Sequence, residues 1–373
     1  MTARLSLTMI VRDEEARLGR VLRDMAGVCD EMVVVDTGSR DGTRRVARDA
    51  GARVLDFAWV DDFAAARNFA LDACTGEWVL WLDADDVVPP GVRAELWVVK
   101  RELLTGELDA VTTPYHYAFD EDTGACAYTF PRERLARRVT GLRWRGAVHE
   151  FLAVPGDRVL HREDLAVEHR PDPATRAGKS RRNLRIVERM VREGDRSPRT
   201  RYYHACELRD AGRHAAALDA FAVYLRNPGE EWEQYAALLR MSECAEKLGL
   251  TGEAGEHLHR ALRLDSSRAE AFLGLGGPYF ERGEWAKALP FYAAAAAQKA
   301  PVSGFVSPPD YSWRPWDFLS VCLARLDRHE ESVAAAVVSL EAGNPERDRL
   351  WSNIRWSLDR LPPGHGFRSG RHP

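Results

Sequence analysis

The sequence predicts an α/β domain with a doubly wound, mostly parallel sheet, followed by an all-α domain of helical-hairpin repeats. Three observations carry this prediction. Apolar runs that end in acids alternate with amphipathic stretches through the first half. The run Trp78-Val79-Leu80-Trp81-Leu82, bounded by Gly76 and by Pro89-Pro90, has the continuous apolarity of a strand buried on both faces. From Tyr202 onward, small and aromatic residues recur at fixed offsets.

Leu5 to Val11 reads as the first strand. Arg12-Asp13-Glu14-Glu15 opens a helix with Leu18, Val21, Leu22 and Met25 at helical spacing, its acids suiting the positive end of the helix dipole. Glu31 to Asp36 is the second strand, and the loop from Thr37 to Thr43 leads into a helix that Gly51 ends. A carboxylate such as Asp36, at the end of a buried strand, can accept hydrogen bonds from a base imide or a ribose; it can equally belong to a capping loop. Ala52 to Asp56 is the third strand. Asp61 to Cys74 is a helix with Phe63, Ala66, Ala70 and Leu71 on one face and Arg67-Asn68 set among alanines. The fourth strand delivers Asp83, Asp85 and Asp86 at its carboxyl end, where open α/β sheets bind their ligands. Asp83 and Asp85 are spaced to share a hard divalent ion that leaves positions open for phosphate oxygens. No Gly-x-Gly-x-x-Gly follows the first strand and no Gly-Lys-Ser/Thr loop is present, which excludes a dinucleotide dehydrogenase and a P-loop enzyme.

Four motifs, in order, carry a family resemblance: Met9-Ile10-Val11-Arg12-Asp13-Glu14-Glu15; Val34-Val35-Asp36-Thr37-Gly38-Ser39 with Asp41-Gly42-Thr43; Asp62-Phe63-Ala64-Ala65-Ala66-Arg67-Asn68; and Leu82-Asp83-Ala84-Asp85. They resemble the family 2 glycosyltransferases of the GT-A fold, and more narrowly the branch with C-terminal tetratricopeptide repeats to which peptide S-glycosyltransferases of glycocin biosynthesis belong. Asp13 stands where that branch usually has Asn. The resemblance implies an inverting transfer from a nucleoside-diphosphate sugar, of the UDP-hexose type, assisted by Mn2+ or Mg2+. It implies a donor site of Val11, Glu14, Asp36, Arg67 and Asp83, with Asp85 on the metal.

Beyond Pro89-Pro90, Gly91 to Thr105 reads as a helix, and Asp109 to Phe119 and Ala127 to Pro131 as strands around the acidic turn Asp120-Glu121-Asp122. This part is expected to hold the acceptor. Six arginines follow within fourteen residues, from Arg132 to Arg145. A diphosphate would engage some of them, and the others are expected on a solvated strand face. The His-Glu of Trp144-Arg145-Gly146-Ala147-Val148-His149-Glu150-Phe151 also resembles the repeat-bearing branch. His149 is the candidate to complete the metal shell, since imidazole is a good manganese ligand, although a lone histidine is often structural. Glu150 is the candidate base that takes the acceptor proton, with Asp120 and Asp122 as rivals.

Between Arg170 and Arg201 stand eleven Lys or Arg against four Asp or Glu. A solvated connecting helix from Lys179 to Glu193 accounts for this stretch; a basic surface for an acidic acceptor or lipid headgroups is the other reading. Gly212, Ala217, Phe221 and Tyr224 then recur as Gly249, Ala254, Leu258 and Ala261, as Gly283, Ala288, Tyr292 and Ala295, and in altered form as Asp327, Ser332, Ala336 and Ser339. This is tetratricopeptide spacing, whose units stack into an array. The insertion Pro301 to Tyr311, rich in proline and carrying Phe305, is a candidate contact for a partner. The expected organisation is a GT-A domain over 1–175, connecting helix and repeats over 176–361 and a disordered tail over 362–373.

Of the 373 residues, 45% are hydrophobic and 29% charged, with a net charge of -4, so nothing draws the chain to nucleic acid or anionic membrane. No stretch reaches the roughly 18 apolar residues of a membrane span, and the N-terminus carries no long apolar leader. Six scattered cysteines without a Cys-x-x-Cys pair read as reduced thiols of a cytoplasmic protein. The expected acceptor is a protein or peptide side chain, because repeat arrays recognise chains. A cell-envelope or natural-product acceptor, with the repeats supporting a homodimer, and an inactive repeat scaffold are the alternatives.

Overall fold

The structure, a computed structural model, describes residues 4–102, 106–171 and 176–362. The chain forms two compact units, one of residues up to 118 with 129–211, the other of 119–128 with the residues from 212 on. The sequence reading sets 176–211, with its connecting helix, in one domain with the repeats, whereas these residues group with the first unit. The tail from 363 on lies outside the described residues.

In the first unit β1 (Leu5–Val11), β2 (Glu31–Asp36), β3 (Arg53–Asp56) and β4 (Trp78–Trp81) alternate with α1 (Glu15–Met25), α2 (Thr43–Asp49) and α3 (Phe63–Ala73). These strands pair in the order β3-β2-β1-β4, all parallel, because each returns through a helical crossover. Leu5, Leu7 and Met9 of β1 pack with Leu18 and Leu22 of α1 on one face of the sheet, and Val79 and Trp81 of β4 with Leu71 of α3 on the other. The remaining elements are β5 (Asp86–Val87), α4 (Pro90–Glu102), β6 (Ala110–Phe119), β7 (Cys126–Arg137), β8 (Arg143–Arg145), β9 (Phe151–Ala153), β10 (Val159–His161), β11 (Val167–His169), α5 (Arg176–Arg192) and α6 (Pro198–Asp210). The sheet continues as β7-β6-β11-β5, with β10 also on β6, and turns mixed there: β4–β7 and β11–β5 are antiparallel, β11–β6 parallel. A doubly wound, mostly parallel sheet is therefore correct for its first half, and a mixed half is added at the edge.

The arginines expected on a solvated face are mostly tied down. Arg134 is fully buried, donates to Trp81 O and Asp86, and lies over the rings of Trp81 and Tyr115 at 4.0 and 4.3 Å. Arg137 and Arg138 donate to the carbonyls of Leu108 and Gly76. Arg138, Arg143 and Arg145 are exposed as expected, while Arg134 departs from alternation because aromatic faces and chain groups, not water, receive it.

The second unit contains α7 (His214–Tyr224), α8 (Glu231–Lys247), α9 (Thr251–Leu264), α10 (Glu270–Glu281), α11 (Trp285–Ala296), α12 (Arg314–Arg325), α13 (His329–Glu341) and α14 (Arg347–Leu358). The residues at the second, third and fourth marked positions of all four repeat units are buried, Ser332, Ala336 and Ser339 included. Gly212, Gly249 and Gly283 turn with φ of +74°, +76° and +71°, and Asp327 takes the same left-handed conformation at +60°. The fourth repeat thus keeps the geometry after losing the glycine, since aspartate tolerates that region. The Pro301–Tyr311 insertion does not present its aromatics outward as expected. Tyr311 Oη donates to Glu270 at 2.7 Å, Phe305 meets Trp232 edge to face at 5.8 Å, and Arg268 donates to Phe305 O at 2.9 Å. Among the described residues, no helix is long and apolar enough to cross a membrane.

Candidate active site

The ends of β1, β2 and β4 place the predicted donor residues side by side. Val11 pairs with Asp36 in register and accepts from the backbone N–H of Thr37 at 2.9 Å. Asp13 sits at φ +55° and accepts from Arg40 N at 2.7 Å, so an aspartate serves this turn as an asparagine would. Asp36 is fully buried. Its Oδ1 accepts from the N–H groups of Gly38 and Ser39 and meets Arg44 Nη2 at 2.6 Å, while Oδ2 is buried without a hydrogen-bond partner. A bare buried carboxylate oxygen at a strand end is an acceptor waiting for a donor.

Arg67 is the hub of the opposite wall. Its Nε donates to Glu150 Oε1 at 2.7 Å and its Nη2 to Asp83 Oδ1 at 2.8 Å, between Trp81 and Trp144, whose ring centroids lie 5.0 and 4.7 Å from the guanidinium. Burial opposes its charge, but Asp83 and Glu150 raise its pKa above the usual arginine value. Burial likewise works against ionisation of Asp83, and Arg67 brings that carboxyl below its ordinary range. Asn68, its neighbour in α3, exchanges two hydrogen bonds of 2.9 Å with the backbone of Trp144 and so fixes β8 behind the hub.

The carboxylates of the Asp83-Ala84-Asp85-Asp86 turn have three different tasks. Asp83 faces Arg67. Asp86 is buried and satisfied by Arg134 Nη1 at 2.9 Å, Tyr115 Oη at 2.8 Å and the backbone N–H of Asp83 at 2.9 Å; burial raises its pKa. Asp85 offers Oδ2 to Lys179 Nζ at 3.1 Å and turns Oδ1 toward His169 Nδ1 at 3.5 Å. Burial disfavours its charge, yet His169 and Lys179 hold its carboxyl well below the usual range. Glu14 is close enough to Asp85 to feel it: burial first, and then the charge of Asp85, raise its pKa.

Asp85, Asp86 and His169 each present one ligand atom within 4.8 Å of one another, and His169 Nδ1 is buried without a hydrogen-bond partner. Two carboxylates and an imidazole make a donor set that fits Mn2+ or Mg2+. His169 gets there through the antiparallel β11–β5 register, which sets it opposite Asp86, and Tyr117 stacks on its ring at 5.1 Å. Sequence reading missed it. The available signal was the one used for Asp36 and Asp83, a polar residue closing a short strand-like run, here Val167-Glu168-His169 before Pro171.

His149 is not in this cluster. Its Nε2 lies 2.6 Å from Glu207 Oε1, its ring stacks on Tyr203 at 4.1 Å, and its carbonyl accepts from Arg199 at 2.9 and 3.1 Å. It adopts φ +53°, a conformation that a non-glycine residue holds only when its surroundings impose it. Three residues of α6 impose it, and the next residue, Glu150, is thereby aimed at Arg67. The rival acid Asp120 accepts from the backbone N–H and hydroxyl of Thr123 at 2.8 and 2.7 Å and closes its own turn.

Residues 6–123 match the family described as Glycosyl transferase family 2. A TPR repeat-containing protein of Synechococcus elongatus is 30% identical over 311 residues, covering 70% of this chain and 75% of that protein. The SPbeta prophage-derived glycosyltransferase SunS of Bacillus subtilis is 24% identical over 234 residues, 61% of this chain and 54% of its own, so the chain spans about half the length of SunS. Glucosyl-3-phosphoglycerate synthase from Mycobacterium tuberculosis, crystallised with Mn2+, UDP and glucosyl-3-phosphoglycerate, is 21% identical, with 52% of this chain and 81% of that chain covered. The TM-score of that match is 0.36. The chain belongs to the family 2 glycosyltransferases that bear tetratricopeptide repeats, and it is a glycosyltransferase.

Proposed function

We propose that this enzyme moves a hexose, with inversion, from a UDP-type nucleotide sugar to a side chain of a protein or peptide. The observation that carries the donor half is the row of strand-end carboxylates, in which Asp36 keeps an unpartnered Oδ2 and Asp85 stands beside His169. Asp36 Oδ2 suits the imide N–H of a uracil ring, with Val11 beside it. Asp85 and His169, with Asp86 behind them, would hold the divalent ion; when bound, it neutralises the diphosphate against the carboxylates around it. Glu150 takes the proton from the acceptor hydroxyl or thiol as that oxygen or sulfur bonds to the anomeric carbon and the bond to the diphosphate oxygen breaks. Arg67 orients Glu150 and Asp83 together. A protein or peptide acceptor is supported by the repeat array, which offers an extended surface to a chain.

The test is mass spectrometry of peptide acceptors incubated with UDP, GDP and TDP sugars, with and without manganese, beside calorimetry of UDP. Transfer is expected from a UDP sugar with manganese. EDTA or Asp85→Ala is expected to weaken UDP binding at least about tenfold, roughly 1.4 kcal/mol. Unchanged UDP affinity under both treatments would remove the metal from the reading.

A further inference from the structure

Helix α5 reads from its sequence as a solvated connector, but one of its cations is in an unusual position. Arg185 is paired with Asp61 at 2.7 Å, Arg189 donates to Asp61 O at 2.8 Å, and Lys179 meets Asp85 at 3.1 Å. Arg182 has no carboxylate within ion-pair distance among the described residues. Among the described residues its only hydrogen bonds are two of 3.4 Å to the amide oxygen of the adjacent Asn183, at the outer limit of useful geometry. Its guanidinium lies over Phe63 at 4.8 Å, in the apolar patch where Val148 packs on Ile186 and Val187. Burial pulls its pKa below the ordinary arginine value, opposed by the charges of Glu150, Asp61 and Glu207 and aided by that of Arg12. A half-buried guanidinium that faces the active-site charges without an anion of its own is costly unless a ligand supplies the anion.

Lys179 and Arg182 stand three residues apart, on one face of α5. That spacing sets an ammonium beside Asp85 and a guanidinium one turn further along the same face of α5. We propose that α5 completes the donor site, Arg182 binding the nucleoside diphosphate with its planar fork and Lys179 reinforcing it. This inference rests on the nucleotide-sugar reading above and names a contact for it. The leaving diphosphate gains charge as the glycosidic bond breaks, and a guanidinium already in place stabilises that charge without reorganisation.

The experiment uses the full chain with manganese and compares the wild type, Arg182→Gln and Arg182→Lys. UDP is measured by calorimetry and uridine, which lacks phosphate, by ligand-observed NMR. Arg182→Gln keeps most of the stem over Phe63, so the expected result is a loss of about tenfold or more in UDP affinity with uridine binding unchanged. Arg182→Lys, retaining charge without the fork, is expected between the two. UDP affinity of Arg182→Gln within twofold of the wild type would overturn the inference, as would an equal loss for uridine, which marks a packing role. If the wild type binds none of UDP, GDP or TDP, the donor reading itself fails, and this inference falls with it.

Discussion

At the scale of single residues, the site is organised by Arg67, because one buried fork holds two carboxylates at 2.7 and 2.8 Å. Such an arrangement aims Glu150 through its Oε1 and leaves the other carboxylate oxygen for the acceptor proton in the proposed reaction. Glu150→Gln keeps the volume and loses the base. Transfer to a hydroxyl acceptor is expected to fall by roughly 10² to 10⁴ with UDP affinity unchanged. A thiol acceptor, with an ordinary pKa near 8.5, should lose less, being partly ionised already. Full activity of this variant on a hydroxyl acceptor would return the role to Asp120 or Asp122. Most of this constellation was legible in the sequence: Asp36, Arg67, Asp83 and Asp85 are local punctuation at the ends of apolar runs or in a helix beside them. His169 was not, since its partnership with Asp85 depends on which strand pairs with β5, and nothing near His169 in the chain states that pairing.

At the scale of elements, α6 decides the conformation of the loop that carries Glu150. Arg199, Tyr203 and Glu207 fall on one side of that helix at offsets of one turn each and together grip His149. Glu207→Ala removes the partner of the imidazole and leaves the left-handed residue to relax. The expected outcome is a kcat lowered about tenfold to a hundredfold, since small misplacements of a catalytic group are costly. Donor affinity should remain at the wild-type value, because none of the α6 residues named here touches Asp36 or Asp85. A kcat equal to wild type would show that the loop holds its shape alone. An equal fall in UDP affinity would show that His149 serves the donor after all, the role first expected of it.

At the scale of the molecule, the compact unit that carries the proposed donor site extends to residue 211. Ile186 and Val187 of α5 are buried on Val148, two apolar side chains worth about 1.5 to 3 kcal/mol each when fully covered. A chain ended at 211 is expected to unfold cooperatively and to bind UDP as the full chain does. A chain ended at 175 should aggregate or melt at a lower temperature, having lost this cover and the grip on His149. Circular dichroism melts and UDP calorimetry on both lengths check this; equal behaviour of the two would show that the first 175 residues stand alone.

The sequence by itself determined what is local or periodic. Strands with acids at their carboxyl ends, crossover helices and a repeat whose helix-packing positions are all buried follow from patterns a few residues long. Asp327 keeps its left-handed turn for the same reason, the period around it being intact. Only the tertiary structure decided which histidine joins Asp85, that Arg134 is buried between aromatic rings, that Phe305 and Tyr311 face inward, and that α5 and α6 belong with the donor unit. Each of these depends on a contact between residues far apart in the chain, and composition or spacing is the same whether such a side chain meets water, a ring or a carboxylate.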